Sequence, residues 1–137
     1  MATENEFFRG LHINIHHDFD CIEVMVDEAN FHDNASGIIS INNVVEFALN
    51  RSNKYLIYNK LNSGYEVDPK LFGYIRNKII KQLQLAGIRK MVFVVDEVRY
   101  AKYYKKLDPQ TSFIIGFTSL YAALGWIKED LKTLAAR

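Results

Sequence analysis

KMVFVVDE (Lys90–Glu97), RYAKYYKKL (Arg99–Leu107), SFIIGF (Ser112–Phe117) and SLYAALGWIKEDL (Ser119–Leu131) follow one another with short connections. The first and third are apolar runs of strand length. The second and fourth repeat apolar residues at helical spacing. Two buried strands joined by a crossover run parallel, because antiparallel neighbours need only a tight turn. The stretch therefore predicts an α/β domain.

The same reading extends outward from this stretch. Leu11–His16 alternates, with Ile13 and Ile15 on one side and His12, Asn14 and His16 on the other, as in a half-buried strand. His17–Asp20 supplies a turn into Cys21–Val26, so an antiparallel hairpin is expected. Residues 1–9 read as a polar, partly mobile lead-in. Asn30–Gly37 is rich in Asn, Asp, Ser and Gly and reads as a loop, with Ser40 as N-cap of a helix whose stripe is Ile41, Val44, Val45, Ala48 and Leu49. Lys54–Tyr58 is a third strand. Asn62-Ser63-Gly64 marks a turn, and Asp68-Pro69 opens the next helix, with Asp68 as its N-cap. Phe72, Ile75, Ile79, Leu83 and Ala86 are its buried stripe, and Gly87 closes it. Met91–Val95 and Phe113–Phe117 are the fourth and fifth strands. Thr118 or Ser119 caps the last helix. No linker or repeat divides the chain, which reads as one domain.

The bulk numbers describe an ordinary water-soluble chain: 137 residues, 49% hydrophobic, 24% charged, net charge +1. So even a charge balance gives no support to an extended nucleic-acid surface. Cys21 is the single cysteine, so no internal disulfide forms, and a reducing, cytoplasmic setting is expected. The N-terminus lacks the pattern of a signal peptide, and no apolar run approaches the length of a membrane span.

The element order is β-β-α-β-α-β-α-β-α. With Phe117, Thr118, Ser119, Ala123, Leu124, Trp126 and Ile127 at the end of the chain, it resembles the STAS-type, SpoIIAA-like family. More narrowly, it resembles the bacterial branch similar to both STAS and CRAL-TRIO (lipid-transfer) domains. The likeness implies an α/β, SpoIIAA-like fold: a mixed five-stranded sheet with an N-terminal hairpin, βα repeats and about four helices. STAS antagonists of anti-sigma factors carry a phosphorylated Ser at the start of the helix after the third strand. Here Asp68 matches that motif, but Pro69 stands in place of the acceptor and has no hydroxyl. The resemblance implies a non-enzymatic regulatory or protein-interaction domain. Its partner would meet Ser63, Tyr65, Glu66, Asp68 and Lys70. The alternative is a carrier of a nonpolar small molecule in the CRAL-TRIO sense.

Other candidate chemistry has a plainer reading beside it. His12, His16, His17, Asp18 and Asp20, with His32 and Asp33, are metal-ligand types. No standard ligand spacing is present, and His12 and His16 stand about 13 Å apart along one strand face. An exposed polar strand face is the better reading. Cys21 beside apolar neighbours reads as a packing residue rather than a nucleophile. No nucleophile elbow, Walker A loop or dinucleotide fingerprint is present, so no cofactor is expected. In the Tyr/Lys-rich stretch the tyrosines are expected inside and Lys102, Lys105 and Lys106 in solvent. Trp126 and the last helix's stripe read as packing.

The central strands are apolar on both faces. Met91, Phe93 and Val95 alternate with Val92 and Val94, and Tyr55 and Ile57 with Leu56 and Tyr58. A bare apolar face is unusual for a monomer. Three covers fit: helices on both sides, a second copy in a homodimer, or a lipid-like ligand.

Overall fold

Parallel crossovers organise the second half of this molecule. The computed structural model describes residues 3–66 and 69–136. Three strands form an antiparallel meander: β1 (Thr3–Phe8), β2 (Leu11–His16) and β3 (Cys21–Asp27). From β3 onward the neighbours are parallel: β4 (Tyr55–Asn62), β5 (Lys90–Val94) and β6 (Ile114–Phe117). The six-stranded sheet keeps the order of the chain, β1-β2-β3-β4-β5-β6. Each crossover steps the same way across the sheet, so the handedness rule sends all three helices to one face.

Four helices accompany the sheet. The first, α1, is Asn34–Leu49. The second, α2, covers residues 69–85 and passes from Pro69–Tyr74 through a π-helical turn, Ile75–Ile79, into Ile80–Leu85. The third, α3, covers residues 97–104, as Glu97–Arg99 followed by a second π turn, Tyr100–Tyr104. The last, α4, is Leu120–Ala135, with Ser119 as N-cap.

The larger core lies under the crossover helices. Leu56, Tyr58, Met91 and Phe93 from the sheet meet Ile41 and Val44 of α1, Leu71, Ile75, Ile79 and Leu83 of α2, and Tyr104 of α3. The opposite face has its own core: Cys21, Tyr55, Ile57, Val92, Val94 and Ile115 lie under Ala123 and Ile127 of α4. The last helix, α4, packs on this opposite face through Ala123 and Ile127. Helix cover is therefore what shields the second apolar face, but only over the parallel half. Trp126 packs on Phe117 in that core, ring centroids 6.4 Å apart.

Three expectations are corrected. First, the sheet has a sixth strand, because residues 3–8 pair with β2 through a two-residue turn at Arg9 and Gly10. Both turn residues have positive φ, as a type I′ hairpin requires. Second, the loop read over Asn30–Gly37 gives way to helix at Asn34. Asp33 is the N-cap: its carboxylate accepts Ser36 N–H at 2.8 Å, and Ser36 Oγ accepts from the Asp33 backbone. Ser40 is a buried mid-helix residue whose hydroxyl donates to Asn30 O. Gly37 suits the tight approach there, since a Cβ would lie 2.9 Å from Phe31 Cζ. Third, β4 continues four residues past Tyr58, to Asn62.

Candidate functional site

In open α/β sheets, ligand sites lie outside the carboxyl ends of the parallel strands. Here that edge is formed by the end of β3 with the turn to α1, the end of β4 with residues 63–66, and the start of α3.

The segment after β4 is held from below. Ser63 Oγ donates to Phe31 O at 2.6 Å, and Ser63 is buried. Gly64 N–H donates to Glu28 Oε1 at 2.5 Å. The Arg99 guanidinium donates to Gly64 O and also to Asp96. Tyr65 is half-buried, and its hydroxyl donates to Asn34 Oδ1 at 2.5 Å while its ring packs on Phe31. Glu66 is exposed and accepts from Lys102 Nζ at 3.1 Å. Lys70, in the first turn of α2, points its charge into solvent. Asp68 lies outside the described residues. The structure thus brings Ser63, Tyr65 and Glu66 into one braced segment, with Ser63 as an internal brace and Glu66 and Lys70 on the surface.

Under that segment sits Lys60, only 4% exposed. It continues the face of Leu56 and Tyr58, so the strand carries its long side chain into the core edge. Its ammonium donates to Tyr65 O at 2.9 Å and lies 4.5 Å from the Phe31 ring centroid. Burial, and then the nearby Arg99 charge, bring its pKa down to about 8, against the pull of Asp96, Glu28 and Glu66. Asp96 caps α3 by accepting Arg99 N–H at 2.8 Å, and that bond holds its carboxyl below the usual range. Sequence reading missed Lys60, Glu28 and Arg99. The signal for Lys60 was a charge at the next position of an apolar strand face.

The histidines separate. His12 and His16 share the second sheet face beyond α4, as the alternation predicts. His16 Nε2 meets Glu23 Oε1 at 2.8 Å, whereas His17 pairs with Glu4 and His32 sits at the carboxyl edge against Glu28 O. Among the described residues no three His, Cys, Asp or Glu side chains gather in a metal-holding group. Cys21 is wholly buried under α4, and burial pushes its thiol well up. Tyr104 points inward, while Lys102, Lys105 and Lys106 are exposed. Among the described residues no helix is long and apolar enough to cross a membrane.

No protein-family model matches the chain, and neither curated proteins nor solved structures yield a match.

Proposed function

We propose that this is a non-enzymatic, STAS-like interaction domain that meets a protein partner at the carboxyl edge, on the surface of residues 63–70. One observation carries the reading: the segment is tied down through the Ser63 hydroxyl, Gly64 N–H and Tyr65 O, while Glu66 and Lys70 stay exposed. A preorganised surface of this kind binds without the entropic cost of ordering a loop. The in-order βα succession after an N-terminal hairpin supports a SpoIIAA-like ancestry. With Pro69 in place of the acceptor, contact here would be constitutive rather than phosphorylation-gated. Charge reversal tests this. Quantitative affinity capture is run with the wild type, the Glu66→Arg/Lys70→Glu pair, and Lys81→Glu as a distant exposed control. Partners kept by the wild type and the control but lost by the pair support the reading; equal recovery by all three overturns it.

A carrier of a nonpolar small molecule is the second reading. It is favoured by a largely apolar cleft of about 400 Å³ between α2, α3 and the start of β6, within the size range of small-molecule sites. Native mass spectrometry of freshly purified protein tests it: a co-purifying small apolar mass supports the carrier, and a clean protein mass argues against it.

A further inference from the structure

Both helices that wall the apolar cleft carry a π-helical turn where they face it. Arg76 lies in the Ile75–Ile79 turn of α2, and Tyr103 and Tyr104 lie in the Tyr100–Tyr104 turn of α3. Such turns are rare and recur at functional sites, because the widened backbone re-aims side chains that a regular helix would direct elsewhere. Phe72, Arg76 and Ile80 follow one another at four-residue spacing down one wall. Tyr103, Tyr104 and Phe113 form the other.

Arg76, Tyr103, Tyr104 and Ser112 bring polar groups to the apolar lining, and two of them stand out. Arg76 has no acidic partner among the described residues, although most other arginines of the chain are paired: Arg9 with Glu46, Arg51 with Glu6, Arg89 with Asp130 and Arg99 with Asp96. Tyr104 is only 5% exposed, and its hydroxyl bonds to no described residue. Tyr104 is one of the residues that line the cleft. Gly116 makes room for the ring: a Cβ there would lie 2.4 Å from Tyr104 Cγ.

A free guanidinium and an unpartnered phenol beside aromatic walls match one ligand chemistry. We propose that the cleft binds a small organic acid with an apolar body, its carboxylate taken by Arg76 and Tyr104 and its hydrocarbon by Phe72, Ile80, Tyr103 and Phe113. The proposal rests on the carrier reading and adds the anionic head group to it. A guanidinium suits a carboxylate because its planar fork matches both oxygens.

The test uses decanoate and decanol, matched in chain and different in head group, titrated into the full chain and followed by amide NMR. Decanoate should shift the resonances of Phe72, Ile80, Tyr103 and Phe113, and should bind about tenfold more tightly than decanol. Arg76→Gln, at an exposed position that leaves the core untouched, should remove that preference, and Tyr104→Phe should reduce it. Equal binding of both probes at the cleft would overturn the head-group assignment while leaving a carrier role standing. Binding of neither, together with a clean native mass, would overturn both.

Discussion

Asn59 Nδ2 donates to Glu23 Oε2 at 3.0 Å, between neighbouring parallel strands, where the second sheet face changes character. On one side α4 buries Ile57, Val92 and Val94. On the other, among the described residues, polar side chains rather than a helix close over the carboxylate. His16 lies 2.8 Å and Asn14 3.2 Å from Glu23 Oε1. Burial alone would raise the Glu23 pKa, but the bonds from His16, Asn59 and Asn14 outweigh it and lower it. Glu23→Ala leaves these buried donors with no acceptor, and should cost about 3 kcal/mol. Glu23→Gln keeps an acceptor oxygen and should cost less. Urea unfolding of the two variants checks the order, and equal losses would count against the network.

Asp130 pins α4 at its far end. It accepts from the Tyr55 hydroxyl at 2.5 Å and from Arg89 at 2.7 and 3.1 Å. The Arg89 bonds in particular hold its carboxyl below the usual range. The stabilisation is therefore complete above the ordinary aspartate pKa of about 4, and drains as pH falls through that range toward the folded value. Asp130→Asn should lose about 2 kcal/mol at neutral pH and show a flatter acid limb. Thermal melts at pH 7 and pH 3.5 read both effects. A variant that matches the wild type at pH 7 would show that the clamp adds nothing.

Gly116→Ala places a methyl against the Tyr104 ring, with contacts of 2.4 to 2.8 Å to its Cγ, Cβ and Cδ1. Tyr104 also stacks on Phe93, centroids 5.6 Å apart, so the ring cannot yield toward that neighbour. Overpacking of this kind costs about 1–3 kcal/mol. The melt should fall, and near-ultraviolet circular dichroism from the tyrosines should change with it. An unchanged melt would mean that α3 shifts freely on the sheet.

The parallel half was legible because its apolar runs are bounded by punctuation that has one physical meaning each: Pro69 at a first helical turn, Gly87 at positive φ after α2, Ser119 as a cap. The edge strand β1 was not. In TENEFF the half-buried positions are Glu6 and Phe8, and Phe7 is 75% exposed, so no apolar alternation in the sequence marks it. The Asp33–Ser36 cap was hidden because Asn, Ala, Ser and Gly in a first turn look like loop composition. At the carboxyl edge, the segment around Ser63–Glu66 could be chosen from its place after a strand, but its braces could not. Phe31 reaches it from the connection between β3 and α1, Lys60 from β4 and Arg99 from α3. The cleft joins residues more than twenty positions apart, and its π turns leave no mark on apolar spacing.

Arg99 ties α3 to the segment that presents Glu66. Removing it by Arg99→Met frees Gly64 O while keeping the length of the side chain. Hydrogen exchange at Gly64–Glu66 should quicken by about tenfold, with global stability changed by under about 1 kcal/mol, since Met fills the half-buried site and removes the unpartnered Nε. Unchanged exchange would show that Ser63 and Tyr65 suffice as braces.

Lys60 gives a prediction with a definite pH window. Below about pH 8 its ammonium is charged in the folded and unfolded chain alike, so the cost of burying it is carried in full. Between about 8 and the ordinary lysine value of 10.5 the folded chain has released the proton and the unfolded chain still holds it. The unfolded state then binds more protons, and the contribution of this site to stability rises with pH across that window. Lys60→Met keeps an apolar stem on the Phe31 ring and removes the charge. It should be at least as stable as the wild type at pH 7 and should lack the alkaline rise. Reductive ¹³C-methylation followed by NMR titration reads the site directly: one lysine should titrate near 8, and its signal should vanish in Lys60→Met. A signal that titrates with the surface lysines would show that Lys60 keeps its water.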